Sequence, residues 1–317
     1  ISTGQKSMKK ALVTGGQGFI GGHIVDRLID DGYEVVVIDN KSSTTTDFHI
    51  NTKADYIEED VADITIYQNL YNRYGRFDHV FHLAALSKVQ ESLERPAMTV
   101  FDNVIGTCNL LEYCKATRPQ KVVMSSTCSV YGLSENFPFK EDEPVDCLNP
   151  YSLTKRHGEE ILQMYHKLYQ VETLVLRYFN VFGPRAPKTG SYAPVVSKFA
   201  DQIRQGEKPT VYGDGQNTRD YVHVEDVVEA NILAANSGFQ SSGQIFNVGT
   251  GKDYSVMDIV QMLQDSDDVE RLPEREGECK KVIADISKIK KELKWKPKNN
   301  LKSYIEDLKK DLTKNKS

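Results

Sequence analysis

The feature that most constrains the fold is an alternation between short β-branched runs and longer helical patterns over the first 180 residues. Five such runs predict strands, at 11–16, 34–40, 79–85, 121–127 and 173–180. They are apolar almost throughout, which is typical of strands that are covered on both faces. Three helical patterns lie between them, at 19–31, 103–117 and 150–169. Strand–helix alternation at this pitch predicts an α/β fold with a doubly wound parallel sheet.

This rhythm ends after Asn180. Residues 181–194 are rich in proline and glycine and predict a loop, and beyond them come single helices and isolated strands such as 244–250. We therefore predict a cofactor-binding sheet domain over residues 8–180. Residues 181–317 then form most of a smaller C-terminal substrate-binding lobe, with some segments returning to the first domain. Such a lobe would cover the carboxyl ends of the strands, where these sheets bind ligands.

Composition excludes several classes of function. A net charge of −5 and a pI near 5.9 give no general attraction to polyanions, so no nucleic-acid partner is predicted. No apolar run approaches the roughly 20 residues of a membrane span, and the chain start lacks the apolar stretch of a signal peptide. The five cysteines show no CxxC spacing, so we expect no metal site and a reducing, cytoplasmic location. The lysines between 288 and 298 alternate with Ile289, Leu293 and Trp295, which predicts a solvated helix face.

A glycine-rich turn follows the first predicted strand directly. Gly15, Gly16, Gly18 and Gly21 satisfy both G-x-G-x-x-G and G-x-x-G-x-x-G. Glycine permits a tight turn and a close backbone approach, and the N-terminus of the next helix, with Phe19 and Ile20, faces a bound pyrophosphate. Because the motif lies between a strand and a helix, it predicts a dinucleotide site in a Rossmann-type sheet.

The cofactor is predicted from Asp39, which ends the second strand eighteen residues after Gly21. A carboxylate there accepts hydrogen bonds from the adenosine ribose and repels a 2′-phosphate, which favours NAD over NADP. Lys41 is the nearby residue that could reach a phosphate and weaken this preference. The predicted set is completed by Asn40, next to Asp39, and by residues at the next two strand ends: Asp60, Val61, Ala84 and Ala85. For Asp60, Ala84 and Ala85 a purely structural role stays open.

One tyrosine of the sixteen is followed by a lysine four residues later, at Tyr151 and Lys155. On a helix these two side chains share a face. A free phenol has a pKa of about 10, and a neighbouring ammonium, helped by a positive nicotinamide ring, would favour the phenolate. On spacing alone a surface Tyr–Lys pair would be preferred. Pro150 at the helix start and the hydroxyls of residues 125–127 at a strand end favour a catalytic pair instead.

Several ordered motifs carry a family resemblance. The glycine turn, SSTCSVYG at 125–132, Tyr151-x-x-x-Lys155 and RYFNVFGPR at 177–185 resemble the extended short-chain dehydrogenase/reductases. GDGQNTRDYVHVEDV at 213–227 and REGECKKVIADISK at 275–288 resemble the nucleotide-sugar 4-epimerases of that superfamily, which act on UDP-hexoses. The similarity runs from about Lys9 to about Pro297.

The resemblance implies roles for individual positions. Thr127, Tyr151 and Lys155 take the catalytic places, and Ser125, Asn103 and Tyr178 support the cofactor. The implied substrate-binding residues are Thr127, Asn180, Tyr212, Arg219, Arg275, Glu278 and Val282. Glu278 replaces the usual aspartate near the uridine ribose. Val282 stands where a bulky tyrosine restricts the sugar pocket of related enzymes, although a plain core position in a strand is the alternative.

The departures from related enzymes favour an epimerase. Sugar-nucleotide dehydratases carry acidic residues directly after the catalytic threonine, and decarboxylases keep a glutamate there, whereas this chain has Cys128 and Ser129. The implied reaction is 4-epimerisation of UDP-Glc/UDP-Gal, UDP-GlcNAc/UDP-GalNAc or both, by transient oxidation at C4 and return of the hydride from NAD. A reductase, decarboxylase or dehydratase on the same scaffold, and a non-catalytic NAD-binding protein, are the alternatives.

The resemblance also implies a homodimer. In the family, helices that correspond to about 97–116 and 150–169 pair into a four-helix bundle. Leu153, Ile161 and Tyr165 are the apolar candidates for this interface, although some of them must face the core of their own protomer.

Overall fold

The structure is a computed structural model and describes residues 8–42, 49–189, 193–238, 242–275 and 277–314. The strands, in chain order, are β1 (Lys10–Thr14), β2 (Glu34–Ile38), β3 (Asp55–Ile57), β4 (His79–His82), β5 (Lys121–Thr127), β6 (Thr173–Tyr178), β7 (Asn180–Phe182), β8 (Thr210–Tyr212), β9 (Thr218–His223), β10 (Gln244–Val248), β11 (Asp253–Ser255), β12 (Glu270–Leu272) and β13 (Lys281–Val282).

The α-helices are α1 (Phe19–Asp30), α2 (Ile66–Tyr74), α3 (Val89–Glu94), α4 (Pro96–Val100), α5 (Gly106–Thr117), α6 (Pro150–Tyr169), α7 (Val195–Arg204), α8 (Val224–Ala235), α9 (Val256–Gln264), α10 (Ser287–Glu292) and α11 (Leu301–Lys314). A π-helical segment, Phe101–Ile105, joins α4 to α5, and a 3-10 turn, Cys128–Tyr131, follows β5.

Seven strands form one parallel sheet in the order β10-β6-β5-β4-β1-β2-β3. Successive residues of each strand point to opposite faces, and both faces are buried. Val35 and Val37 of β2 pack in a cluster with α1 and α8, whereas Val36 and Ile38 pack in a second cluster with α2, α5 and α6. Because both faces are buried, every position along these strands needs an apolar residue. The predicted doubly wound, Rossmann-type α/β sheet is confirmed.

One strand from beyond residue 180 lies in the main sheet. Residues 244–250 were expected as an isolated strand of the C-terminal lobe, but β10 pairs in parallel with β6, with Gln244 opposite Leu174 and Val248 opposite Tyr178. Helix α8 covers the same sheet by packing against α1. Segments from beyond residue 180 therefore complete the first domain.

The smaller lobe is built around β9, which pairs with β7, β11 and β13. Helices α7, α9 and α11 enclose a third hydrophobic cluster beside it. Strand β7 follows β6 almost directly, so the lobe begins at the carboxyl end of the main sheet. The predicted loop at 181–194 thus starts with a strand, and its residues 190–192 lie outside the described residues. Of the helices that the structure describes, none combines the length and apolar character that a membrane crossing needs.

Candidate active site

The glycine turn follows β1 and leads into α1. Gly15 has a φ of +71°, and a Cβ there would lie 2.7 Å from the backbone nitrogen of Ala84. A Cβ at Gly21 would lie 2.1 Å from the carbonyl oxygen of Gly15. Only glycine fits these two positions. The N-cap of α1 is Gly18, which has no side chain to occupy the N–H groups of the first turn, where Phe19 and Ile20 lie. These groups can therefore receive a phosphate.

The carboxylate of Asp39 lies beside this turn, just after β2. Its oxygens accept hydrogen bonds from the backbone nitrogens of Gln17 and Lys41, each at 2.9 Å. Lys41 points its ammonium to Glu58, with the Nζ and Oε2 atoms 2.5 Å apart. A 2′-phosphate would therefore meet two carboxylates at this corner, whereas ribose hydroxyls would find an acceptor. The residues fit NAD better than NADP.

The other predicted cofactor positions follow strands rather than ending them. The Asn40 amide donates to the Asp60 carboxylate at 3.0 Å, and the Asp60 carboxylate also accepts from the backbone nitrogen of Ala62 at 2.8 Å. Val61 is buried beneath this corner. Ala84 and Ala85 come after the last residue of β4, and both are half-buried. All of these positions lie at the carboxyl edge of the sheet.

Strand β5 and helix α6 bring the three predicted catalytic residues together. Thr127 is the last residue of β5, and its hydroxyl lies near enough to the phenol of Tyr151, in the first turn of α6, to affect the pKa of that phenol. The ammonium of Lys155, one turn further along, donates to the carbonyl of Ser125 at 2.9 Å and lies 3.5 Å from the Ser125 hydroxyl. Thr127 and Lys155 are buried. The alternative of a surface Tyr–Lys pair is therefore wrong.

The start of α6 is fixed by its cap. Asn149 accepts a hydrogen bond from the backbone nitrogen of Ser152, and the Ser152 hydroxyl lies within bonding distance of the Asn149 backbone nitrogen, so a capping box is present. Pro150 occupies the first helical position, where a missing N–H costs nothing. Tyr151 therefore projects from a well-defined first turn.

Burial dominates the titration of the catalytic pair. It raises the pKa of Tyr151 to about 12, and the Thr127 hydroxyl acts in the opposite direction. Burial also lowers the pKa of Lys155 to about 8, while Glu159 nearby raises it. The prediction that Lys155 and a positive nicotinamide ring together favour the phenolate stays a prediction, and in the protein without cofactor the phenol is protonated at neutral pH. The reason is that the Lys155 ammonium donates to the Ser125 carbonyl, while desolvation penalises the phenolate.

A buried ion pair supports the catalytic helix, and the sequence analysis missed it. Glu159 of α6 accepts two hydrogen bonds from Arg177 of β6, at 2.8 and 2.7 Å, and one from the Ser126 hydroxyl at 2.6 Å. Both charged side chains are 0% exposed. The pair fixes α6 against β5 and β6. Two features of the sequence could have indicated this pair: Glu159 follows Lys155 by one helical turn, and Arg177 lies within an otherwise apolar strand.

The substrate-binding residues surround a cleft of about 310 Å³ in the smaller lobe. Five of the predicted residues line it: Asn180, Tyr212, Arg219, Arg275 and Glu278. The Arg275 guanidinium lies 3.7 Å from the centre of the Tyr212 ring. Glu278 lies between the two arginines, 3.4 Å from Arg275 and 3.8 Å from Arg219. Lys198, which the sequence analysis did not single out, adds a third cationic side chain. The cleft is therefore suited to a diphosphate.

The remaining predicted residues lie deeper. Tyr178 is opposite Thr127 in the β5–β6 register, and its buried hydroxyl bonds to Asn231. Asn103 is buried in the π-helical segment. Val282 is 8% exposed, packs in the main hydrophobic cluster and does not belong to the described residues that line the cleft. This position agrees with the core alternative, and a role of Val282 in the sugar pocket stays a prediction.

The fold and the site together define an NAD-binding enzyme of the extended short-chain dehydrogenase/reductase type. The chain belongs to the NAD dependent epimerase/dehydratase family, whose model matches residues 11–249. NAD is thus confirmed as the cofactor. Within the described ranges, no cluster of three or more His, Cys, Asp or Glu side chains is arranged to hold a metal ion.

Several known proteins are similar to nearly the whole chain. The UDP-glucose 4-epimerase of Mycolicibacterium smegmatis is 37% identical over 296 residues, which cover 91% of this chain and 93% of that protein. The structure of Thermotoga maritima UDP-glucose 4-epimerase with UDP-glucose has a TM-score of 0.90 and 36% identity, covering 97% of this chain and 100% of that one. UDP-N-acetylglucosamine 4-epimerase from Methanobrevibacter ruminantium M1, in complex with UDP-N-acetylmuramic acid, has a TM-score of 0.87 and 37% identity, covering 96% and 97%.

Proposed function

We propose that this protein catalyses the NAD-dependent 4-epimerisation of a UDP-hexose. The substrate pair is UDP-glucose with UDP-galactose, UDP-N-acetylglucosamine with UDP-N-acetylgalactosamine, or both. The observation that carries this proposal is that Thr127, Tyr151 and Lys155 lie together at the carboxyl edge of the main sheet, with the glycine turn on the same edge and a cationic cleft in the adjoining lobe. The names of the similar proteins support the same reaction class.

Proton transfer falls to Tyr151. As the phenolate, beside the Thr127 hydroxyl, this side chain would take the proton of the sugar C4 hydroxyl and become a phenol, and it would return the same proton to the C4 oxygen after the sugar has turned over. The glycine turn and Asp39 would hold NAD, which would supply the hydride acceptor and donor for C4 and a positive charge that opposes the effect of burial on Tyr151. Lys155 is held by the Ser125 carbonyl, where an ammonium can also bind a ribose hydroxyl. Thr127 orients the reacting oxygen.

The cleft explains how one site can act on both faces of the sugar. Arg219 and Arg275, with Asn180, would bind the diphosphate through charge-assisted hydrogen bonds. The hexose extends beyond these contacts and is held more weakly, so that the 4-keto sugar can turn over before the hydride returns. Glu278, which contacts both arginines in this structure, would then share them with the phosphates.

Neighbouring residues disfavour a dehydratase or a decarboxylase. The dehydratases and decarboxylases that this chain resembles carry acidic residues after the catalytic threonine, where this chain has Cys128 and Ser129. Burial raises the pKa of the Cys128 thiol to about 12, so this thiol stays protonated at neutral pH. Ser129 donates its backbone nitrogen to the Thr127 hydroxyl, and the two hydroxyl oxygens are 3.1 Å apart. Neither residue can eliminate water or activate a carboxylate.

The test is purified protein incubated with a panel of UDP-hexoses and UDP-N-acetylhexosamines, with no NAD added and the products separated by chromatography. An epimerase returns its own hydride, so we expect interconversion to an equilibrium mixture. A reductase would require stoichiometric reduced cofactor, and a non-catalytic NAD-binding protein would produce nothing. Either result would refute the proposed function. Tyr151→Phe protein, prepared in the same way, is the control for contaminating activity.

A homodimer is part of the proposal. Apolar side chains are exposed on α4, the π-helical segment and α6, among them Met98, Phe101, Ile105, Leu153 and Leu168. Of the three interface residues predicted from the sequence, Leu153 is exposed, whereas Tyr165 is buried within its own protomer and Ile161 packs against the same cluster. Tyr165 is therefore removed from the predicted interface. Two copies of this apolar face would cover each other.

A further inference from the structure

A line of buried polar groups crosses the carboxyl edge of the main sheet, and His82 lies at its centre. His82 is the last residue of β4 and is 2% exposed. Its Nδ1 atom lies 2.7 Å from the hydroxyl of Thr14, which is opposite His82 in the β1–β4 register. Its Nε2 atom lies 2.9 Å from the hydroxyl of Thr107 in α5. The imidazole thus connects β1, the strand that leads into the glycine turn, with helix α5.

The neighbouring contacts determine which nitrogen carries the proton. The Thr107 hydroxyl donates its single proton to the carbonyl oxygen of Asn103 at 2.6 Å, so it must accept a proton from Nε2–H of His82. The Nδ1 atom of the neutral ring is then an acceptor for the Thr14 hydroxyl. The Thr14 oxygen in turn accepts from the backbone nitrogen of Ala84 at 3.2 Å. In this series of hydrogen bonds, each donor has one acceptor. The series runs from the Ala84 backbone nitrogen through Thr14, His82 and Thr107 to the Asn103 carbonyl.

The ring stays neutral for two reasons. Burial is the larger one, and together with the positive charge of Lys155 it lowers the pKa of His82 to about 3. A protonated ring would carry N–H groups on both nitrogens, and the Thr14 hydroxyl would lose its acceptor. The arrangement in the structure therefore requires the neutral Nε2–H form.

Both ends of this line reach the proposed active site. At one end, Thr14 immediately precedes the glycine turn. At the other end, the Asn103 side chain donates to the Thr154 hydroxyl at 2.9 Å, and Thr154 donates to the backbone carbonyl of Tyr151 at 2.9 Å. The π-helical geometry around Asn103 is a feature that recurs at functional sites.

His82 also acts through its backbone. Its carbonyl oxygen accepts a hydrogen bond from the Ser125 hydroxyl at 3.3 Å, and the Ser125 carbonyl is the one that receives the Lys155 ammonium. The same residue is therefore connected to the cofactor turn, to the helix segment that carries Tyr151 and to the strand that holds Lys155.

We propose that His82 is a positioning residue that, as the neutral Nε2–H tautomer, holds the glycine turn and the start of α6 in register. It touches neither substrate nor cofactor, and it acts by setting the distance between the bound nicotinamide and Tyr151. This inference rests on the proposed epimerase function. Near-attack geometry is sensitive to small displacements, so loss of the bridge should reduce turnover more than substrate binding.

The chain offers a matched control. His79 lies three residues earlier on the same strand, is 1% exposed, and has its ring nitrogen Nδ1 3.1 Å from the Tyr33 hydroxyl at the amino end of the sheet. His79→Leu and His82→Leu each remove a buried imidazole from β4, and both should lower the unfolding temperature. Only His82→Leu should lower kcat, by about tenfold or more at saturating NAD and UDP-hexose, with KM for the UDP-hexose within about twofold of wild type. Equal losses of kcat in both variants, or an unchanged kcat in His82→Leu, would overturn the proposal.

Two further measurements keep the proposal testable if His82→Leu does not fold. Thr107→Val keeps the shape of the side chain and removes the acceptor of the imidazole N–H, so the same selective loss of kcat is expected, and an unchanged kcat would contradict it. In wild-type protein labelled with ¹⁵N-histidine, NMR should show His82 as the neutral Nε2–H tautomer down to about pH 5. An Nδ1–H tautomer or a protonated ring would refute the inference without bearing on the reaction. A wild-type protein that epimerises no UDP-sugar would instead refute the proposed function.

Discussion

The ion pair between Glu159 and Arg177 gives a prediction whose size follows from burial. Glu159→Gln keeps the shape of the side chain and removes its charge, which leaves the fully buried Arg177 guanidinium without a compensating carboxylate. Breaking one partner of a buried pair costs about 3–5 kcal/mol. The Glu159 carboxylate also accepts a hydrogen bond from the Ser126 hydroxyl, so the substitution weakens more than one contact. We expect the free energy of unfolding to fall by an amount in this range.

The neighbouring residue supplies the control. Glu160 is on the same helix, is 53% exposed and pairs with Arg156 at 3.0 Å. Glu160→Gln is the same chemical change at the surface and should cost less than about 1 kcal/mol. Urea unfolding of the three proteins, followed by circular dichroism, gives the comparison. A loss below 1 kcal/mol for Glu159→Gln would refute the reasoning. A second test adds Arg177→Met to Glu159→Gln: removing the unpaired charge should recover part of the lost stability, and a double variant no more stable than Glu159→Gln would also refute it.

Four further predictions concern the site and the assembly. Cofactor released from the denatured protein should be NAD, because Asp39 and Glu58 disfavour a 2′-phosphate; NADP as the dominant species would contradict this. Tyr151→Phe should lower turnover by about a hundredfold or more, as expected for loss of a general acid–base, while NAD stays bound, and near-normal activity would show that the assignment is wrong. Val282→Tyr should abolish activity on N-acetylated sugars and spare plain hexoses if Val282 lines the sugar pocket, whereas equal effects on both would place it in the core. Light scattering at micromolar concentration should report a dimer, and a monomer would count against the apolar face as an interface.

Local patterns were enough to predict five of the seven strands of the main sheet and the residues at its edge. The apolar strands could only be covered on both faces, and the glycine turn between β1 and α1 had one structural context that explained it. Helical spacing placed Tyr151 and Lys155 on one helix face, the hydroxyls of residues 125–127 lay at a strand end, and the family resemblance assigned the catalytic roles. The structure brings Thr127, Tyr151 and Lys155 together. These features depend on residues that are close in the chain or on ends of strands that must meet in a parallel sheet.

Features that depend on long-range packing were not predicted. The apolar pattern of β10 is the same in either sheet, and only its pairing with β6 shows which one it joins. The ion pair of Glu159 with Arg177 joins a helix to a strand, and neither residue alone indicates its partner. The effect of burial, which raises the pKa of Tyr151, was not predicted because the spacing to Lys155 contains no information about desolvation. Tyr165 and Leu153 share one helix, and only the packing shows that the first faces inward.

The proposed mechanism requires that the hydrogen at C4 leaves the sugar as a hydride and returns to the same molecule. UDP-glucose and UDP-N-acetylglucosamine that carry deuterium at C4 test this directly, with mass spectrometry and NMR of the epimerised products in ordinary water. The account predicts that the product keeps deuterium at C4 and that turnover is slower than with the unlabelled sugar. A product that has exchanged its C4 deuterium for hydrogen from the solvent would contradict it.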